Sequence, residues 1–303
     1  MSFDVRKFAK SSKKQCLLFL LLLLHLTVVT CGPTTNYCTI TCRREKHTVC
    51  KRRHNCSPVK GCQYIEPTVE FRELMVKQHN ELRNKIASGG DGSQYGNKGA
   101  KNMNAVSYDM EMEYIAQCWA NTCRTLEHDK CRSSKRFSCG QNIFWGSNTN
   151  ETTHGVQAWY NEIQYMTNPA WIDKLDPNSY PNDKKQRGHF TQLIWADNKY
   201  IGCARVRYGK DHRQTQLICN YGPAGNVLGQ SIYKMAGDSS QIATQCKGGR
   251  NPEYSSLCGK IEPIPTEKCW AGAASLVSNV SLVLCLVLFA QSIGTLSFLR
   301  IGL

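Results

Sequence analysis

No two cysteines of this chain are separated by two residues, and no histidine pair stands at finger spacing, which excludes the common structural zinc modules. The sequence has no G-x-S-x-G elbow, H-E-x-x-H helix, phosphate loop or dinucleotide fingerprint. The serine-hydrolase, zinc-protease and nucleotide-dependent classes therefore find no motif here. No internal repeat is visible. Acidic residues are scarce: 23 Asp+Glu stand against 38 Lys+Arg, a formal net charge of +15 over 303 residues. No nucleic-acid motif accompanies that charge, so nucleic acid is not expected as a partner.

What the chain does have is two apolar runs and much cysteine. Cys16 to Val29 follows a segment carrying Arg6, Lys7, Lys10, Lys13 and Lys14 and is too short to span a bilayer. It reads as a secretory signal over residues 1–32. Leu276 to Phe298 is uncharged over 23 residues and long enough to span. The small residues Ala271 to Ser275 precede it. Residues 273–303 therefore read as a lipid-anchor signal, with a transmembrane helix as the alternative. Either way the expected product is extracellular, secreted or tethered at the cell surface.

Removing both ends leaves 32 basic and 22 acidic residues. Between Cys42 and Cys62, Arg43, Arg44, Lys46, Lys51, Arg52, Arg53 and Lys60 face only Glu45. The patch suits an anionic glycan or membrane surface, or is a solvated lobe. All 17 cysteines fit an oxidising compartment. With Cys16, Cys31 and Cys285 set aside, 14 remain, enough for seven bridges whose pairing counting cannot give. Of the sequons at Asn55, Asn150 and Asn279, Asn150 in its polar loop is the expected glycosylation site.

Residues 33–67 read as a disulfide-held N-terminal lobe without apolar periodicity. From Thr68, Phe71, Leu74, Met75, Leu82 and Ile86 recur at helical steps up to Ala87. A second helix is expected from Asp109 with Met112, Ile115, Ala116, Trp119 and Cys123, and a third with Val156, Trp159, Tyr160, Ile163 and Met166. Gln141 to Trp145 reads as a short buried strand, and Ile201 to Tyr208 and Thr215 to Tyr221 as paired strands. Interleaved helices and strands over residues 68–230 predict one α/β domain. Residues 231–272 read as an extension closed by Cys246 and Cys258, then a stalk.

Four segments stand out: HNELR (His79 to Arg83), GQNI (Gly140 to Ile143), GHFTQLIWADN (Gly188 to Asn198) and CNYGPAGN (Cys219 to Asn226). In this order and spacing they resemble the CAP superfamily of cysteine-rich secretory proteins, antigen five venom allergens and plant pathogenesis-related proteins. With NYC at Asn36 to Cys38 and AKNMN at Ala100 to Asn104, the chain is most similar to the arthropod antigen five branch. The resemblance implies a disulfide-rich α-β-α sandwich. It also implies the bridges Cys38 with Cys50, Cys42 with Cys131, Cys56 or Cys62 with Cys123, and Cys203 with Cys219. The last is supported independently, since both residues sit centrally in neighbouring strand candidates. Cys118 and Cys139 are then expected to pair with each other.

The family's cleft carries two histidines and two glutamates. By position, this chain supplies His79, His189 and Glu162, with Gln141 where the family usually has glutamate. An amide is a poor cation ligand and no general base. No cofactor is required by this reading; zinc on His79, Glu162 and His189 is the candidate, and Gln141→Glu is then expected to tighten it. Equally, the histidines can serve a buried hydrogen-bond network. Trp195, Phe190, Ile194 and Trp119 read as core, and Arg83 as structural, paired with a carboxylate. The expected function is a non-enzymatic scaffold binding a small hydrophobic ligand, such as a sterol or fatty acid, or a protein receptor. The alternative is a zinc-dependent hydrolase.

Overall fold

The computed structural model describes residues 35–147, 151–176 and 184–267. The expected signal, the Asn150 sequon, Cys269 and the C-terminal tail lie outside the described residues. Among the described residues no helix is long and apolar enough to cross a membrane. From Thr35 onward the lobe, central region and extension pack as parts of one compact unit.

A small hairpin of β1 (Thr41–Cys42) and β2 (Glu45–Lys46) leads into α1 (Thr48–Lys51) and β3 (Gln63–Ile65). Helix α2 spans Val69–Ala87; Thr68 caps it by accepting the Phe71 N–H at 3.2 Å, and Phe71, Met75, Val76 and Ile86 form its buried stripe. β4 (Ser107–Tyr108) precedes α3 (Met110–Ala120), capped in the same way by Asp109 on Met112 N–H at 2.9 Å. β5 (Gly140–Ser147) and α4 (Glu151–Asn161) follow, the helix tightening into a 3-10 turn at Glu162–Tyr165. The short α5 (Ala170–Asp173) and α6 (Gly188–Leu193) come before the long strands β6 (Tyr200–Tyr208) and β7 (Gln214–Gly222).

The main sheet runs β3-β6-β7-β5, antiparallel throughout, with β4 added parallel to β6. Alternation along β6 and β7 divides the core in two. Ile201, Cys203, Leu217, Cys219 and Tyr221 pack with α2 and α4, while Ala204, Val206 and Ile218 pack with Ala116 and Ala120 of α3. This is the expected α-β-α sandwich. Gly202 has a steric reason: a Cβ there would run into the α3 backbone at Met112 and Glu113.

Register places Cys203 directly opposite Cys219, and the two are bonded. Cys38–Cys50, Cys42–Cys131, Cys62–Cys123 and Cys246–Cys258 also form. Cys118 does not pair with Cys139. It lies on the face of α3 turned toward Tyr37 and Val49 of the lobe, where it bonds Cys56. Cys139 is a buried free thiol, its pKa pushed up to about 12 by burial. The expected stalk is docked as far as Glu267. Ile232, Tyr233 and Leu257 are fully buried in the main core, and Arg72, paired with Glu113 at 2.7 Å, donates to the Pro265 and Glu267 carbonyls.

Candidate functional site

The histidine that sequence placed in the cleft lies in the core. His79 is fully buried; its Nδ1 is 2.7 Å from the Met75 carbonyl and its Nε2 2.9 Å from the Tyr221 hydroxyl. Burial pulls its pKa down to about 4, so the ring is neutral, donating to the carbonyl and accepting the phenol proton. Both ring nitrogens are committed, which removes His79 from the proposed metal and cleft set. Its motif neighbours do similar work. Asn80 bonds both the N–H and the carbonyl of Val106. Arg83, expected to meet a carboxylate, instead donates to the main-chain carbonyls of Asn104, Leu193 and Trp195, and burial lowers its pKa to about 9. HNELR thus fastens α2 to the loops around it.

His189 and Glu162 do meet. Glu162 Oε1 is 2.6 Å from His189 Nδ1, and Oε2 accepts the main-chain N–H groups of His189 (2.9 Å) and Phe190 (3.1 Å). The carboxylate therefore caps the first turn of α6, whose N–H groups have no intrahelical partner, and fixes the imidazole with its other oxygen. The His189 ring stacks on Trp159, whose other contacts include His79. Asn142 completes the shell by donating to the His189 carbonyl at 2.9 Å.

Gln141 faces a residue that sequence reasoning missed. Its Oε1 accepts from His128 Nδ1 at 3.0 Å and from the Asp129 N–H at 3.1 Å, and its Nε2 donates to Asn220 at 3.0 Å. His128 is an exposed residue, and desolvation of its ring lowers its pKa, the Gln141 bond opposing and the Arg132 and His189 charges adding to the fall. Among the described residues neither His128 Nε2 nor His189 Nε2 has a hydrogen-bond partner. The open polar edges of this site are thus two imidazoles, His128 and His189, held from behind by an amide and a carboxylate. The only signal for His128 was a histidine in a polar segment three residues before a bridged cysteine.

This donor set does not fit the expected zinc site. His79 is committed to the core, Glu162 to α6, and the Gln141 oxygen to two donors. Among the described residues no group of three or more His, Cys, Asp or Glu could hold a metal ion. Two imidazoles alone fall short of the three protein ligands of a catalytic zinc centre.

Sandwich, bridges and cleft define a CAP protein, and the chain belongs to the cysteine-rich secretory protein family, whose model matches residues 76–221. Within it the chain is 36% identical over 234 residues to Venom allergen 5 of Polistes dominula, covering 73% of this chain and 98% of that one. Venom allergen 3 of Solenopsis invicta is 39% identical over 220 residues, 66% of this chain and 90% of that one. Of solved structures, Na-ASP-1 matches with a TM-score of 0.54 at 28% identity over 62% of this chain; the match spans only 47% of Na-ASP-1. NaASP2, solved with Zn2+, matches with a TM-score of 0.51 at 26% identity over 67% of this chain and all of its own. The chain is a CAP-domain protein of the venom-allergen type.

Proposed function

We propose that the protein is a non-enzymatic, extracellular binding scaffold that carries a small hydrophobic ligand of the fatty-acid or sterol class. The observation that carries this is an apolar groove of about 430 Å³ between α2 and the docked extension, lined by Leu74, Val76, Tyr254, Ile261 and Ile264. Leu74, Ile261 and Ile264 are only partly buried, so apolar surface stands open where a hydrocarbon could cover it. Glu70, Glu73 and Glu253 face only Lys77 around the groove, an acidic rim that favours a sterol hydroxyl over a fatty-acid carboxylate. The hydrolase alternative loses support because the carboxylate and amide of the cleft are already bound to protein groups.

Export is supported by the signal-like N-terminal segment and by the six disulfides formed among the described residues, and the apolar tail supports a surface tether. The basic lobe, with Arg43 and Arg44 at the tip of the β1–β2 hairpin, is suited to an anionic glycan on the same surface. Native mass spectrometry with a panel of fatty acids and sterols tests the carrier reading. A stoichiometric adduct lost in Leu74→Asp is expected. No adduct with any member would leave protein partners as the function.

A further inference from the structure

A second cavity, of about 560 Å³, lies on the seam between the sandwich and the extension. Its floor is the segment from Asn102 to Ser107. One wall comes from the turn before β6 and from Ser231 to Lys234, the other from the loop closed by Cys246–Cys258. Four lysines line it: Lys199, Lys234, Lys247 and Lys260. They are far apart in sequence but fixed by the fold. The Lys199 carbonyl accepts the Ser107 N–H and its own N–H bonds Gly222, both at 2.8–2.9 Å, and the Lys234 N–H bonds the Asn102 side chain at 2.8 Å. Lys247 follows Cys246, and Lys260 stands two residues after Cys258, whose N–H bonds the Met103 carbonyl at 2.8 Å.

The charges are not neutralised by neighbours. Lys51, Lys77 and Lys85 each meet a carboxylate within 4 Å, whereas among the described residues none of these four does. Two carboxylates share the lining, Asp197 and Glu262, and Glu262 accepts the Tyr200 hydroxyl at 3.3 Å. The cavity keeps an excess of two positive charges. Like charges gathered around a concavity raise its potential and are stabilised by an anion entering it. Asn102, Asn104 and Ser107 give the floor a polar lining, and the one large ring among the lining residues, Tyr200, carries its hydroxyl on Glu262, which disfavours a hydrocarbon.

We propose that this cavity is a binding site for a compact polyanion bearing two or more sulfate or phosphate esters, separate from the imidazole cleft and from the apolar groove. Lys234 and Lys247, from opposite walls, clamp the ligand; the Cys246–Cys258 bridge holds the clamp in register.

Isothermal titration of the full secreted protein at low salt tests this with two probes, a sulfated heparin-derived disaccharide and inositol hexakisphosphate. Saturable 1:1 binding of at least one is expected, and the tighter probe identifies the ester. The double variant Lys234→Ala/Lys247→Ala should weaken it at least tenfold without moving the unfolding midpoint, since both side chains are exposed. The control Lys210→Ala/Arg213→Ala, exposed on the turn between β6 and β7 and outside the cavity lining, should change it less than twofold. Binding by neither probe, retention within twofold in the cavity variant, or an equal loss in the β6–β7 turn variant would overturn the proposal.

Discussion

His79 and His128 make the instructive pair. One sits in the most recognisable motif of the chain and is sealed in the core; the other belongs to no motif and opens onto the cleft. His79 has two protein partners, a carbonyl and a phenol, whereas His128 has one and keeps its outer nitrogen free of protein. Motif strength here tracks structural demand: a buried ring tolerates few replacements, while a ligand-facing one on a surface segment leaves little pattern around itself.

Breaking the fastening around His79 should give the largest effect. Arg83→Met strands buried carbonyls of Asn104, Leu193 and Trp195, and is expected to cost about 3–5 kcal/mol in a denaturant titration. Next comes acid. The folded-state pKa of His79, about 4, lies below the ordinary value of 6.5, so the unfolded chain takes up the proton first. Its contribution is complete above about pH 6.5 and is lost as pH falls toward 4. Between those limits wild type should lose up to about 3 kcal/mol more than His79→Gln, read as unfolding free energy against pH.

On the cleft side the effects shrink. Glu162→Gln weakens the cap on α6 and is expected to cost about 1–2 kcal/mol, measured by thermal unfolding. His128→Ala should change stability by no more than about 0.5 kcal/mol, because the residue lies at the surface and its ring is bonded to protein through one nitrogen only. A His128 variant as damaging as the His79 one would erase the contrast.

Much of the frame was legible in the sequence for physical reasons. α2 and α3 announce themselves by apolar spacing and by Thr68 and Asp109 as caps, and β6 and β7 by alternation, which in turn places Cys203 opposite Cys219. Elements too short to show a period were missed: β3, β4 and the six-residue α6. The extension hid its core residues because Ile232, Tyr233 and Leu257 stand singly or in pairs among glycine and polar residues. The Cys118 partner depended on which face of α3 meets the lobe, a tertiary fact. Glu162 and His189, 27 residues apart, were brought into one cleft by the family resemblance alone, since no apolar period marks the turn and helix start that join them.

His128 and His189, and not His79, present imidazole to the outside. Carbethoxylation of the folded protein with diethyl pyrocarbonate, mapped by peptide mass spectrometry, distinguishes them. Modification is expected at His128, then at the partly shielded His189, with His79 untouched until the protein unfolds. Modification of His79 in the folded state, at a rate matching His128, would contradict it.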